Sequence, residues 1–192
     1  KNEYPEGNDR VKGVTVRRFA VAAQRDINAF NQYSDWIFHH SHSREDELKW
    51  LEMQGPWSPA LKDYLVKHHR AYDALIFFTY LYAPTVLGLR VDPGRSILVP
   101  TAHDEPAIHL GIYQEMFAKP SAFAFNTEVE KDFLKTTFPI RAVAEETVGC
   151  GVDLLQGQVQ PDEPEPEDDE ELHKRPAPHL RARGAQFRRR HR

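Results

Sequence analysis

Two hydrophobic rhythms alternate between residues 14 and 148. Val14-Thr-Val-Arg-Arg-Phe-Ala-Val21 is rich in β-branched positions and predicts a strand. Ile27, Phe30, Tyr33, Ile37 and Phe38 then recur at helical spacing, with Asp26 available as a cap. Ser43-Arg-Glu-Asp46 predicts a second helix, because a serine and an acid three residues later satisfy two end amides reciprocally; Trp50, Leu48 and Leu51 form its apolar side. Gly55-Pro-Trp-Ser58 interrupts. Ser58-Pro59 restarts a helix with a hydroxyl cap and a proline where no amide donor is needed, and Leu61, Tyr64, Leu65, His68 and Tyr72 continue it.

Ala74-Leu-Ile-Phe-Phe-Thr79 is an unbroken apolar run of the kind buried on both faces of a parallel sheet. A short helix or turn over Tyr82 to Leu89 follows. Strands at Ser96 to Thr101, Ala122 to Asn126 and Ala142 to Val148 then alternate with helices at Pro106 to Phe117 and Thr127 to Phe138. Thr127 and Glu130 repeat the capping-box pattern. Strands alternating with helices of this length predict an open, mostly parallel α/β sheet, whose ligands sit outside the carboxyl ends of the strands. Thr79-Tyr-Leu-Tyr82, Thr101-Ala-His-Asp-Glu105 and Asn126-Thr-Glu128 become the shortlist for function.

Composition changes at Gln160. Residues 161–171 hold eight acids and three prolines, and residues from His173 onward hold eight Lys or Arg. With almost nothing apolar to offset the entropy of ordering, residues 154–192 are expected to be a disordered acidic, then basic, tail. Residues 1–153 are expected to form one domain within the 192-residue chain. The net charge of −4 argues against a general nucleic-acid binder, and a basic tail with only Phe187 among its charges adds little to that case. Cys150 is the sole cysteine, so no internal disulfide or Cys-rich zinc cluster can form. No run of 18 apolar residues suggests a membrane span, and Lys1 to Arg10 is not a signal segment.

His103-Asp104-Glu105 directly follows a buried strand. A histidine there can donate or accept a hydrogen bond near neutral pH, and a carboxylate could fix its tautomer. Neighbours on an extended chain point opposite ways, so the partner could lie elsewhere. The bland alternative is a polar loop that only caps the Pro106 helix. His103 and His109 with Asp104 or Glu105 match no strong metal spacing, and neither do His39, His40 and His42; no metal or cofactor is expected. Dinucleotide, P-loop and Gly-x-Ser-x-Gly signatures are missing. Tyr80 and Tyr82 bracket the central strand end, where a hydroxyl could meet a polar substrate or simply pack with an upward hydrogen bond.

Several phrases, in order, carry a resemblance. Asn2-Glu-Tyr-Pro-Glu-Gly7, Gly13-Val-Thr-Val-Arg-Arg-Phe19, Gln54-Gly-Pro56, Phe77-Phe-Thr-Tyr-Leu-Tyr-Ala-Pro-Thr85, Pro100-Thr-Ala-His-Asp-Glu-Pro106, Phe125-Asn-Thr-Glu128 and Val148-Gly-Cys-Gly-Val-Asp153 resemble the amino-terminal half of bacterial GT-B glycosyltransferases of family 4, the group-1 retaining enzymes. The resemblance implies a partial Rossmann-like sheet with helices on both faces, one half of a two-lobed architecture. It implies transfer of a sugar from a nucleotide-sugar donor to an acceptor hydroxyl on a glycan, lipid or small molecule, in the cytoplasm or at the inner face of the membrane. His103 then corresponds to the active-site histidine close to the transferred sugar, with Tyr80, Tyr82, Asp104, Glu105 and Asn126 as substrate-binding neighbours.

The family's opening strand with its Gly-rich loop and its donor domain have no counterpart in these residues. Catalysis by this chain alone is therefore not expected, because half a cleft neither stabilises the leaving diphosphate nor holds both substrates. Self-association through an exposed edge or cleft face is expected instead. The rival reading is a non-catalytic α/β domain binding a glycan, an anion or a protein partner.

Overall fold

The computed structural model describes residues 3–149 and residue 151. They fall within one compact unit, residues 1–151; a second unit, residues 152–192, lies outside the described residues, as does the expected disordered tail.

The chain opens with a hairpin of β1 (Gly7–Val11) and β2 (Val14–Arg18), antiparallel from Gly7↔Arg18 to Val11↔Val14. Lys12 and Gly13 both take positive φ, 48° and 84°, the two-residue turn whose twist matches that of paired strands. Sequence patterning finds β2 but not β1, since Asn8, Asp9 and Arg10 are weak strand formers. Arg18 stands 2.8 Å from Asp9 and holds its carboxyl below the usual aspartate range. The hairpin is a separate two-stranded sheet, not part of the parallel one.

Three helices follow. In α1 (Ile27–His39) the Asp26 side chain accepts from the Ala29 amide at 3.0 Å. In α2 (Arg44–Gln54) the predicted capping box is complete: Asp46 donates its amide to Ser43 Oγ, and its carboxylate accepts from the Ser43 amide. In α3 (Pro59–His68) proline takes the first turn, but Ser58 does not cap; its hydroxyl donates to the Ala20 carbonyl at 2.8 Å. The predicted continuation to Tyr72 tightens into a 3₁₀ turn at His69–Ala71.

The main sheet comprises β3 (Leu75–Phe78), β4 (Ser96–Val99), β5 (Ala122–Phe125) and β6 (Ala144–Thr147), all parallel and adjacent in chain order. They are joined by α4 (Ala83–Gly88), α5 (Gly111–Phe117) and α6 (Glu128–Thr137). Right-handed crossovers between successive neighbours put all three helices on one face. Register confirms the division: Leu75, Phe77, Leu98, Phe123 and Phe125 share the face that meets the core, whereas Ile76, Phe78, Ile97, Val99, Ala122 and Ala124 share the other. Gly88 allows the close approach of α4 to β3, because a Cβ there would lie 2.3 Å from the Phe77 ring.

The core cluster joins Leu98, Phe123 and Phe125 to Ile108, Ile112 and Phe117, and extends outward to Ile37 of α1 and Trp50 and Leu51 of α2. Each such side chain contributes on the order of 2 kcal/mol by leaving water. The Pro106–Phe117 helix expected from sequence is broken, with a 3₁₀ turn at Pro106–His109 ahead of α5. α5 starts where the buried Glu47 carboxylate accepts the Gly111 and Ile112 amides at 2.7 and 2.8 Å.

On the sheet's second face, among the described residues, the edge strand lies open, with Ile76 56% and Phe78 67% exposed, whereas Val99 of β4 is buried. Of the expected helices on both faces, the described α4, α5 and α6 account for one. The arrangement is a Rossmann-like parallel sheet flanked by helices. No described helix is long and apolar enough to cross a membrane.

Candidate functional site

The carboxyl ends of β3, β4 and β5 form one edge. Past the strands the backbone ladder continues through Thr79 N to Val99 O and Tyr80 N to Pro100 O, both 2.9 Å. Two threonines on this edge, Thr79 and Thr101, have φ of 66° and 51°. Left-handed backbone is a genuine outlier for a β-branched residue. Such positions concentrate at ligand sites, because surrounding structure must over-determine them.

Glu130, on the first turn of α6, ties the edge together from beneath. Its carboxylate is buried and accepts from the Ala102 amide at 2.5 Å and the Asn126 amide at 2.6 Å, one from each neighbouring strand end. Thr127 accepts from the Glu130 amide at 3.0 Å, so half of the predicted capping box forms. The other half does not, because the acid reaches past the cap residue to the strands.

His103 lies on the loop leaving β4 at this edge, with its side chain 74% exposed. Its Nε2 is 3.9 Å from Glu105 Oε2, beyond hydrogen-bond length. The other Glu105 oxygen accepts a short hydrogen bond from the Tyr80 hydroxyl. Tyr80 is 1% exposed and packs against Tyr113 and Phe117. Burial first, and the Glu105 carboxylate second, push its phenol far above the usual tyrosine range, so it remains a neutral donor. Tyr80 thus packs with an upward hydrogen bond, and what it presents to the edge is an oriented Glu105.

Asp104 faces away from His103. It accepts from or pairs with His109 Nε2 at 2.7 Å on the exposed flank of the loop. The carboxylate near His103 is the one two residues on, as alternation along an extended chain requires. Asn126 donates its side-chain amide to Thr101 Oγ1 at 3.3 Å, bridging the β4 and β5 ends. Tyr82, 37% exposed, stands at the start of α4, where its carbonyl accepts the Thr85 and Val86 amides. His103, Glu105, Tyr80 and Asn126 therefore share the edge, with Asp104 and Tyr82 at its margins.

A shallow groove of about 430 Å³ adjoins Glu105, walled by α1 on one side and by Leu81, Pro106 and Ala107 on the other. A larger cleft of about 840 Å³ lies between the Val21–Asp26 segment and the end of α2. Arg25 crosses that cleft to the Gln54 carbonyl and stacks over Phe30 at 4.7 Å. Among the described residues no group of three His, Cys, Asp or Glu gathers in a metal-holding arrangement. His42 lies by Glu47, His69 by Asp92, and His39 turns back on its own helix.

Sequence reasoning missed Glu47 and the α1 wall, and it shortlisted Thr79 and Thr101 only as strand-end residues. Glu130 was visible only as a capping acid, and nothing in local composition marks two threonines for left-handed backbone, where glycine or asparagine is the usual occupant. Comparison with protein-family models, curated proteins and solved structures finds no match to this chain.

Proposed function

We propose that these residues form the acceptor-side half of a retaining, nucleotide-sugar-dependent glycosyltransferase, with His103 at the reacting end. The observation that carries the reading is the position of the His103 imidazole: exposed, at the carboxyl edge of a parallel sheet, beside a carboxylate held by a buried phenol. The resemblance of Pro100-Thr-Ala-His-Asp-Glu-Pro106 to the family's histidine segment supports it.

Chemically, departure of the sugar from a diphosphate develops positive charge at the anomeric carbon and negative charge on the leaving oxygen. An imidazole on the sugar side contributes a directed hydrogen bond, and the Glu105 carboxylate stands 3.9 Å from its ring. A facing donor-binding lobe would supply the cations for the diphosphate. Such division of labour means that transfer needs both lobes, while acceptor recognition needs this one.

The test is His103→Ala in a polypeptide that joins this chain to a donor-binding lobe. The expected outcome is a fall in kcat of about a hundredfold or more, with circular dichroism unchanged. A variant that transfers sugar at the parental rate removes His103 from the reaction. The rival, a non-catalytic binding domain, gains if the chain binds a glycan, anion or protein with equal affinity whether or not His103 is present.

A further inference from the structure

Resting on that transferase reading, we propose that the groove between α1 and the carboxyl edge seats the acceptor, and that this acceptor is a neutral, hydroxyl-rich saccharide rather than a phosphorylated one. The groove joins the reacting end through Glu105, which lines it and stands 3.9 Å from His103.

Its base is aromatic. Phe30 and Phe38 of α1 lie 5.6 and 5.8 Å, ring to ring, from Trp50 of α2. The C–H face of a pyranose ring matches such a base, and binding sites commonly combine an apolar lining with a few placed polar groups. Asn31, Asp35 and His39 recur every four residues along α1 and form a polar row beside the Phe30, Ser34, Phe38 row.

The polar groups combine acceptors with the two-way side-chain amides of Asn31 and Gln54. Asp35 and Glu105 accept only. His39 Nδ1 lies 2.7 Å from the Asp35 carbonyl, which cannot donate, so Nδ1 is the donor and Nε2 faces outward. Ser34 Oγ already accepts from Trp50 Nε1 at 2.9 Å, which leaves its hydroxyl proton for another partner. A complementary ligand brings hydroxyls, which both donate and accept, as a sugar does. Charge narrows the class further: the described lining residues include two carboxylates and neither Lys nor Arg. Arg25 touches two lining residues, stacking over Phe30 at 4.7 Å and donating to the Gln54 carbonyl, but the lining's own two carboxylates disfavour a phosphate among them.

The experiment titrates the full ¹⁵N-labelled chain with the neutral methyl glycosides of glucose, galactose and mannose, and in parallel with the corresponding hexose phosphates. Neutral glycosides are expected to shift amide resonances of α1 and of Glu105. Asp35→Ala and Asn31→Ala, both at exposed helix positions, are expected to weaken the dissociation constant by about tenfold and fivefold. Asp63→Ala on α3 is expected to leave it unchanged. Hexose phosphates should bind more weakly than their neutral counterparts.

The inference is overturned if no neutral glycoside binds, if binding ignores Asp35 and Asn31, or if phosphorylated sugars bind as tightly. Glycosides that shift His103 and Asn126 but not α1 remove the groove and leave the transferase reading intact. Binding in the groove, combined with a His103→Ala enzyme of undiminished rate, does the reverse.

Discussion

Thr101 sits one bond rotation away from the ordinary and carries the edge on it. Its left-handed backbone turns the chain after β4 so that Ala102 N reaches Glu130 and Thr101 Oγ1 meets Asn126, while His103 is delivered outward. A β-branched residue in this region costs about 1–3 kcal/mol, whereas glycine adopts it freely and loses about 0.5–1 kcal/mol through extra freedom in the unfolded chain. Thr101→Gly is therefore expected to raise stability by about 1 kcal/mol, read as a higher urea midpoint at constant m-value. A midpoint that falls by a similar amount would show that the Thr101 contacts outweigh the strain. The positions of His103, Glu105 and Asn126 at this edge were legible in advance, since each follows a segment that reads plainly as a strand. What each one touches was not. Asp104 and Glu105 differ by a single position, and only the direction of the loop decides that the first goes to His109 and the second to His103.

At the scale of elements, local sequence logic worked best where a helix begins with its own cap. Ser43 and Asp46 satisfy each other's amides, and those hydrogen bonds, led by the Ser43 amide, hold the Asp46 carboxyl below the ordinary aspartate value of 3.8. A depressed folded-state value means the unfolded chain binds the proton more readily. The cap's contribution is thus present above the ordinary value and disappears as pH falls through the lower folded one. Urea midpoints measured from about pH 6 down to about pH 3 should show an acid-limb loss that Asp46→Asn flattens. Ser43→Ala should cost about 1 kcal/mol at neutral pH. An Asp46→Asn protein with the parental acid limb would place the titration elsewhere. Local logic failed where a helix start borrows its partner from far away. Glu47 caps α5 from 64 positions earlier, which splits the expected Pro106–Phe117 helix, and Ser58 spends its hydroxyl on Ala20. No window of neighbouring residues contains those pairings.

Among the described residues, the parallel sheet carries α4, α5 and α6 on one side and leaves part of the other open. Parallel sheets are ordinarily covered on both faces, and Ile76 and Phe78 stand more than half exposed on the open part. Among the described residues Leu75 to Phe78 is an edge strand, paired with β4 alone. Open edges and apolar patches invite association. Multi-angle light scattering should report a mass that climbs with concentration, and Phe78→Lys should return the chain to a monomer without changing its circular dichroism. A constant monomer mass at all concentrations would mean that this face needs no partner. The unbroken apolar run Ala74–Thr79 announced a strand meant for burial on both sides. Whether both sides are in fact covered depends on which elements cross over, and crossovers are a property of the assembled sheet.

The amino-acid sequence by itself determined the alternation of helices and strands, the parallel class of the sheet and the placing of His103 after a buried strand, because hydrophobic period and capping chemistry act over a few residues. Tertiary structure alone decided that α4, α5 and α6 gather on one face, that Glu130 and Glu47 serve distant amides, that Tyr80 orients Glu105, and that α1 walls a groove beside it. Those outcomes join residues tens of positions apart, and their energies exist only once the chain has closed around a common core.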